Sequence, residues 1–154
     1  MPEVNWLAVI AAAISSFLLG GLWYSPAMFQ KAWQRGAGLS DEELQKGGHP
    51  GKVYGGAFVL SLIAAGTFAM FLGKLPVGTA TAYGLCAGLC WVAASFGINY
   101  LFERRSATLF LVNGGYHALQ FTLYYWACGT EAIDGARGPT RRYRAAAYSG
   151  GKGQ

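Results

Sequence analysis

Four polar side chains follow one another at helical spacing in the last third of the sequence: Asn113, His117, Gln120 and Tyr124. Steps of four, three and four residues place them on one face of an α-helix. Because His117 has an ordinary pKa near neutrality, this face could line a solute pathway or relay protons, with Asn99 as a further member. The same groups could instead form hydrogen bonds between membrane helices, each worth about 0.6 kcal/mol. Amides and phenols are cheaper to bury than charges, which favours the structural interpretation.

No other motif in the sequence indicates a catalytic or cofactor-binding site. Phosphate-binding loops, nucleophile elbows, zinc-protease helices and dinucleotide fingerprints do not occur. The three cysteines, Cys86, Cys90 and Cys128, lack zinc-ligand spacing. We therefore predict no catalytic residue, no metal and no cofactor. The apolar segments also contain no Asp, Glu, Lys or Arg, which argues against a proton-coupled antiporter.

The elements that position these side chains are four uncharged segments, residues 4–25, 53–73, 75–102 and 106–130. Hydrophobic residues make up 53% of the chain and charged residues 12%, about half the charged share of a soluble domain. Each segment is long enough, as a helix, to cross a hydrocarbon core of about 30 Å, and lipid leaves the backbone no alternative. The sequence predicts an all-α domain over residues 1–130, an integral membrane bundle with transmembrane helices at about 4–25, 53–73, 77–102 and 107–129.

The segments between the apolar runs carry residues typical of a membrane surface. Phe29 and Trp33 lie four residues apart and predict a short interfacial helix after the first transmembrane helix. Ser40 and Glu43 fit a capping box that begins another helix. Aromatic rings prefer the headgroup level. The predicted interfacial residues are Trp23, Tyr24, Ser25, Pro26, Phe29, Trp33, Glu103, Arg104 and Arg105.

Small residues recur every fourth position on all four predicted helices. In lipid, helices associate through close backbone approach rather than through the hydrophobic effect, so such ridges predict tight packing. The ridges could serve the bundle itself or a homo-oligomer, and both alternatives stay open. The predicted packing residues are Gly20, Ala65, Gly84, Gly88 and Gly114.

The positive charges outside the apolar segments do not predict a single orientation of the chain in the membrane. The first and third loops are basic and are expected in the cytoplasm. Residues 131–154 add enough positive charge on the other side to balance the count, which is also the pattern of a dual-topology protein. We predict that residues 131–154 form a disordered basic tail, weakly attracted to anionic lipid. The lipid bilayer is the expected partner, and a nucleic-acid partner is excluded because there is no dense basic face.

Two parts of the sequence resemble a known bacterial family. The first contains Trp-Tyr-Ser-Pro within residues 20–26, and the second contains Glu-Arg-Arg and Tyr-His within residues 99–117. Over about residues 4–128 the chain resembles the family catalogued as domain of unknown function 1761. The resemblance implies a four-helix protein of the inner (plasma) membrane, without an established activity, and a tail outside the family pattern. It singles out Trp23, Tyr24, Ser25, Pro26, Asn99, Glu103, Arg104, Asn113, Tyr116 and His117.

Three functions follow from these patterns. The favoured one is a structural or interaction role, with self-association through the small-residue ridges. The second is a small-solute or ion pathway at a dimer interface, lined by Asn99, Asn113, His117 and Gln120. The third is a membrane enzyme that uses His117 as a base, with Glu103 and Arg104 holding a lipid headgroup. The substrate or ligand is not specified by any of these patterns.

Overall fold

A computed structural model describes residues 4–72 and 75–136, and within these residues the chain forms helices and no strand. The predicted all-α class is therefore confirmed for this part of the chain. Residues 137–154, which make up most of the predicted tail, lie outside the described residues. The first described range, residues 4–72, contains four helices: α1 (Trp6–Trp23), α2 (Gln30–Ala37), α3 (Asp41–Gln45) and α4 (Pro50–Leu72).

The third apolar segment is a helix with an irregular middle. It begins as α5 (Val77–Ala87), passes through a π-helical turn (Gly88–Ala93) and continues as α6 (Ala94–Phe102). The last helix, α7 (Ala107–Ala136), is the longest described, with 30 residues. It extends six residues into the predicted tail.

Among the described residues, three helical stretches are long and apolar enough to cross a membrane: Trp6–Trp23, Pro50–Phe71 and Val77–Phe102. They correspond to the first three predicted transmembrane helices. Helix α7 has the length but is not among them, because Asn113, His117 and Gln120 lower its mean hydropathy.

Helix α7 lies at the centre of the bundle. It packs most extensively against α5, then against α1 and the π-helical turn, and also against α2, α4 and α6. Helix α4 packs against α1 and α7. The main buried cluster contains Val9, Ala12, Ala65, Ala87, Phe121 and Tyr124. The most polar of the long helices is thus surrounded by the apolar ones, so its polar side chains meet other helices.

Glycines allow a close contact of α5 and the π-helical turn with α7. A Cβ atom on Gly84 would lie 2.5 Å from the backbone oxygen of Phe121, and one on Gly88 would lie 2.7 Å from the Cα atom of Ala118. Both neighbours are backbone atoms of α7, which cannot move aside independently. The other three predicted packing residues also contact the bundle interior: Gly20, Ala65 and Gly114.

The loop between α1 and α4 contains the predicted capping box. The Ser40 Oγ atom accepts a hydrogen bond from the Glu43 backbone N–H at 3.2 Å, and the Ser40 backbone N–H donates to Glu43 Oε2 at 2.8 Å. These two bonds confirm the start of α3. The Glu43 carboxylate accepts hydrogen bonds from the Ser40 backbone N–H and, with a smaller effect, from the Ser40 hydroxyl. These bonds hold the pKa of the exposed Glu43 carboxyl below its ordinary value.

Candidate functional site

The polar face of α7 forms a chain of hydrogen bonds that reaches α1. His117 Nδ1 lies 2.8 Å from Gln120 Oε1, and Gln120 Nε2 donates to Tyr124 Oη at 2.7 Å. The Tyr124 hydroxyl then donates to Ser16 Oγ at 3.4 Å. We call these four residues the inner polar chain. Ser16, Gln120 and Tyr124 are buried, so the chain fastens α7 to α1 away from the outer surface of the bundle.

Asn113 forms a second junction, one helical turn before the inner polar chain. It accepts a hydrogen bond from Tyr24 Oη at 2.9 Å and donates through Nδ2 to Tyr100 Oη at 2.8 Å. The neighbouring Val112 carbonyl accepts a hydrogen bond from Trp23 Nε1 at 2.9 Å. These bonds tie α7 to the end of α1 and to α6.

The inner polar chain and the Asn113 junction leave no buried polar atom without a partner. Across residues 4–71 and 75–128, every buried side-chain nitrogen or oxygen atom has a hydrogen-bond partner. A buried polar group without a partner costs about 1–3 kcal/mol, so a network of this kind stabilises one arrangement of the helices. The bonds of Tyr124 to Ser16 and of Asn113 to Tyr24 and Tyr100 link α7 to α1 and α6. Among residues 4–71 and 75–128, no carboxylate or ammonium group is buried.

The π-helical turn packs against the same part of α7. A Cβ atom on Gly88 would lie 2.8 Å from the His117 backbone oxygen. Just after the turn, the Phe96 ring stacks on the His117 imidazole, with ring centroids 5.0 Å apart and planes 11° from parallel. Because π-helical turns frequently occur at functional sites, this contact marks His117 as the position where a second function would be sought.

Asn99 does not join the other predicted pathway residues. It is exposed, and Tyr100 takes its place beside Asn113. The physical reason is the π-helical turn, which takes up an extra residue per turn, so that the inward face moves on by one position. Phe96 and Tyr100 therefore face α7 where an uninterrupted α-helix would present Ser95 and Asn99. The outer side carries an open groove of about 330 Å³, lined by Trp91, Val92, Ser95, Phe96 and Asn99.

The predicted interfacial aromatics lie together where α1 turns into α2. The rings of Trp23 and Phe29 have centroids 4.6 Å apart. Tyr24 meets Trp33 edge-on, with centroids 5.9 Å apart. These pairs hold α2 back against the end of α1. The turn between them contains Ser25 and Pro26.

The predicted interfacial charges line an open cavity of about 540 Å³, where the end of α2 meets the turn before α7. Arg105 donates through Nε to Glu103 Oε2 at 3.2 Å and through Nη1 to the Ala37 backbone oxygen at 3.4 Å. The cavity also brings in Arg35, which the sequence analysis did not single out. We call this the arginine cavity. Its lining residues are Arg35, Gly36, Gly38, Glu103, Arg104, Arg105 and Ser106.

Comparison with known proteins gives a family match. A model described as "Protein of unknown function (DUF1761)" matches residues 7–125, which include the inner polar chain and the arginine cavity. No curated protein sequence and no solved structure matches the chain significantly. The match covers most of the chain and confirms the resemblance inferred from its motifs. The chain belongs to the DUF1761 family of proteins of unknown function.

Proposed function

We propose that the protein is a four-span integral membrane protein of the inner membrane with a structural or interaction role. In this proposal the polar face of α7 holds the helices together and does not conduct a solute. The observation that carries it is the inner polar chain, in which His117, Gln120, Tyr124 and Ser16 bond to one another inside the bundle. Hydrogen bonds between membrane helices replace contacts that lipid cannot offer.

Helix α7 serves as the fourth transmembrane helix in this proposal. Its 30 residues correspond to a length of about 45 Å, which exceeds a hydrocarbon core of about 30 Å. No charged residue occurs between positions 107 and 130. Its polar groups point to α1 and α6, and the three apolar stretches around it would face the lipid. This arrangement supports a membrane location for a helix of modest hydropathy.

The test compares two substitutions on α7. Gln120→Leu removes both side-chain bonds of Gln120 in the inner polar chain and should lower the free energy of unfolding by about 1–2 kcal/mol. Thr122→Val is the matched control, because Thr122 Oγ1 donates only to the Ala118 backbone oxygen of its own helix, at 2.7 Å. Thermal unfolding of the purified protein in a mild detergent measures both. We expect a lower Tm for Gln120→Leu and an almost unchanged Tm for Thr122→Val.

A flux measurement separates the structural role from transport. Proteoliposomes containing a pH-sensitive dye should show no proton or ion flux above that of empty liposomes after a potential is imposed. Flux that His117→Ala abolishes, while Thr122→Val leaves it intact, would overturn the structural role. A solute pathway is the second candidate function, and the contact of Phe96 and the π-helical turn with His117 favours it.

Orientation and self-association remain proposals. We propose that the first and third loops face the cytoplasm, and reporters placed in the first loop and at the C-terminus, with and without residues 131–154, test this. A mixed orientation that persists without the tail would indicate dual topology and an antiparallel dimer. The small-residue ridges that suggested self-association are used inside one chain at Gly84 and Gly88, so a homo-oligomer needs another surface.

A further inference from the structure

We infer that the arginine cavity binds an anion that carries a phosphate group, presented either by a lipid headgroup or by free phosphate. This site is separate from the inner polar chain; the inference rests on the proposed membrane location but does not depend on the proposed structural role. It rests on three observations: the charge of the lining, the backbone conformation of Arg104 and the position of the cavity next to exposed apolar residues.

The lining carries excess positive charge. Three arginines, Arg35, Arg104 and Arg105, face one carboxylate, Glu103. Glu103 is paired with Arg105 at 3.2 Å. Arg35 donates its Nε to the Lys31 backbone oxygen of its own helix at 3.2 Å, and the Arg104 side chain has no hydrogen bond or ion pair to any described residue. The guanidinium groups of Arg35 and Arg104 are therefore available to an external anion.

Arginine chemistry points to phosphate. A guanidinium group presents its N–H donors in a planar fork that matches two oxygens of a phosphate at once. The cavity has two available guanidinium groups, beside a third that Glu103 already holds. Two guanidinium groups suit an anion that has several oxygen atoms and can accept hydrogen bonds from more than one side. The cavity volume of about 540 Å³ leaves room for the group to which the phosphate is esterified.

The backbone of Arg104 is strained in a way that glycine would relieve. Its φ of 55° lies in the left-handed region, at the end of α6. The Arg104 and Arg105 backbone N–H groups close that helix by donating to Leu101 at 3.3 Å and Tyr100 at 2.9 Å. Helix α2 ends with the same two-bond pattern, and there the left-handed residue is Gly38, with a φ of 72°.

Both helix ends line the same cavity, so they form an internal comparison. Gly38 is the residue that this conformation favours, whereas Arg104 places a Cβ and a long cation there. Residues in strained conformations cluster at ligand clamps, where the side chain compensates for the backbone. Arg104 is thus the residue through which the cavity gains charge at the expense of local stability.

The position of the cavity brings it within reach of lipid headgroups. Leu101 and Phe102 immediately precede the lining residues and are 80% and 85% exposed. In the proposed membrane arrangement these side chains enter the apolar region, and the arginines lie at the headgroup level. A phosphate from the bilayer and a phosphate from solution would both meet the same cations.

The experiment measures phosphate binding by the full-length protein in nanodiscs of phosphatidylcholine. Isothermal titration with inorganic phosphate and with dihexanoyl phosphatidic acid forms the two arms. Binding in both arms assigns the site to the phosphate group itself, and binding of the phosphatidic acid alone assigns it to a lipid headgroup. Absence of binding in both arms would overturn the inference.

Arg104→Gly is the decisive variant, because it changes binding and stability in opposite directions. It removes one guanidinium group, and we expect affinity to fall about tenfold. It also places glycine at a left-handed position, and we expect Tm to rise. A misfolded variant would lower both quantities.

Two further variants complete the design. Arg35→Gln should weaken binding by a similar factor through loss of the second available cation. Lys52→Gln removes one positive charge from the first turn of α4, outside the cavity lining, and it should leave affinity unchanged. Equal losses for Lys52→Gln and Arg104→Gly would mean attraction to overall charge, and the inference of a defined site would be withdrawn.

Discussion

The inner polar chain and the arginine cavity differ in how completely their polar side chains are paired. In the inner polar chain each side chain bonds to the next, from His117 through Gln120 and Tyr124 to Ser16. In the arginine cavity, Arg105 has a carboxylate partner, and Arg104 has none among the described residues. One site is neutral, buried and closed, whereas the other is charged, open and only partly paired.

The two sites therefore contribute differently to this small helical bundle. A hydrogen-bond chain whose buried groups are paired contributes to stability and offers little to a ligand. Unpaired cations at a helix end contribute little to stability and leave binding capacity unused.

The largest loss of stability should come from obstructing the close contact of α5 with α7 beside the inner polar chain. Gly84→Ala places a Cβ atom 2.5 Å from the Phe121 backbone oxygen, and overpacking of this kind costs about 1–3 kcal/mol. We expect a clear loss of Tm in detergent. Gly78→Ala on the same helix is the matched control, because nothing lies within 4 Å of its added Cβ. An equal loss for both variants would show that α5 tolerates no substitution, and the close contact would lose its significance.

A medium effect should separate two adjacent residues of α6. Tyr100→Phe removes the hydroxyl that accepts from Asn113 Nδ2, and leaving that amide unpaired should cost about 1 kcal/mol. Asn99→Ala, one position earlier, should leave Tm unchanged because Asn99 is exposed. Thermal unfolding of both variants measures the difference. The opposite result, with Asn99 as the sensitive residue, would contradict the shift of face at the π-helical turn.

The smallest effect belongs to the exposed loop. The pKa of Glu43 is lowered by hydrogen bonds from Ser40, so the cap stabilises α3 above the ordinary glutamate pKa of about 4.3. This contribution is lost as the pH falls through the lowered pKa. The protection factor of the Glu43 amide, which is its hydrogen-exchange rate compared with the intrinsic rate at the same pH, should therefore fall in acid, while the Tm of the bundle does not follow it. Glu43→Gln should remove the pH dependence because a glutamine side chain does not titrate, and a pH response that survives this substitution would exclude the Glu43 carboxyl as its cause.

Local patterns predicted much of the molecule. A capping box depends only on residues that are close in the sequence, so Ser40 and Glu43 identified the start of α3 correctly. Helical spacing also placed His117, Gln120 and Tyr124 on one face of α7. The three apolar membrane-length stretches followed from composition, because lipid requires long uncharged helices.

Features that depend on distant contacts escaped prediction. The π-helical turn has no marker in residues 88–93, so Asn99 was assigned to a face that Phe96 and Tyr100 occupy. Arg35 joins Arg104 only because α2 folds back onto the start of α7, where a Cβ on Gly36 would lie 2.9 Å from Leu109 Cβ. A basic residue three positions before Gly38, which ends α2, is a signal that could have drawn attention to it.

The central position of α7 also governs the order in which the helices can pack together during synthesis. The first two long helices can meet each other as they are synthesised, since α1 packs against α4. The third stretch packs most extensively against α7, which is synthesised after it. Its glycine surface at Gly84 and Gly88 therefore stays without its partner until about residue 125 has been made. During that interval the nascent chain is exposed to quality control, and a truncated product would lack the one helix that all the long helices share.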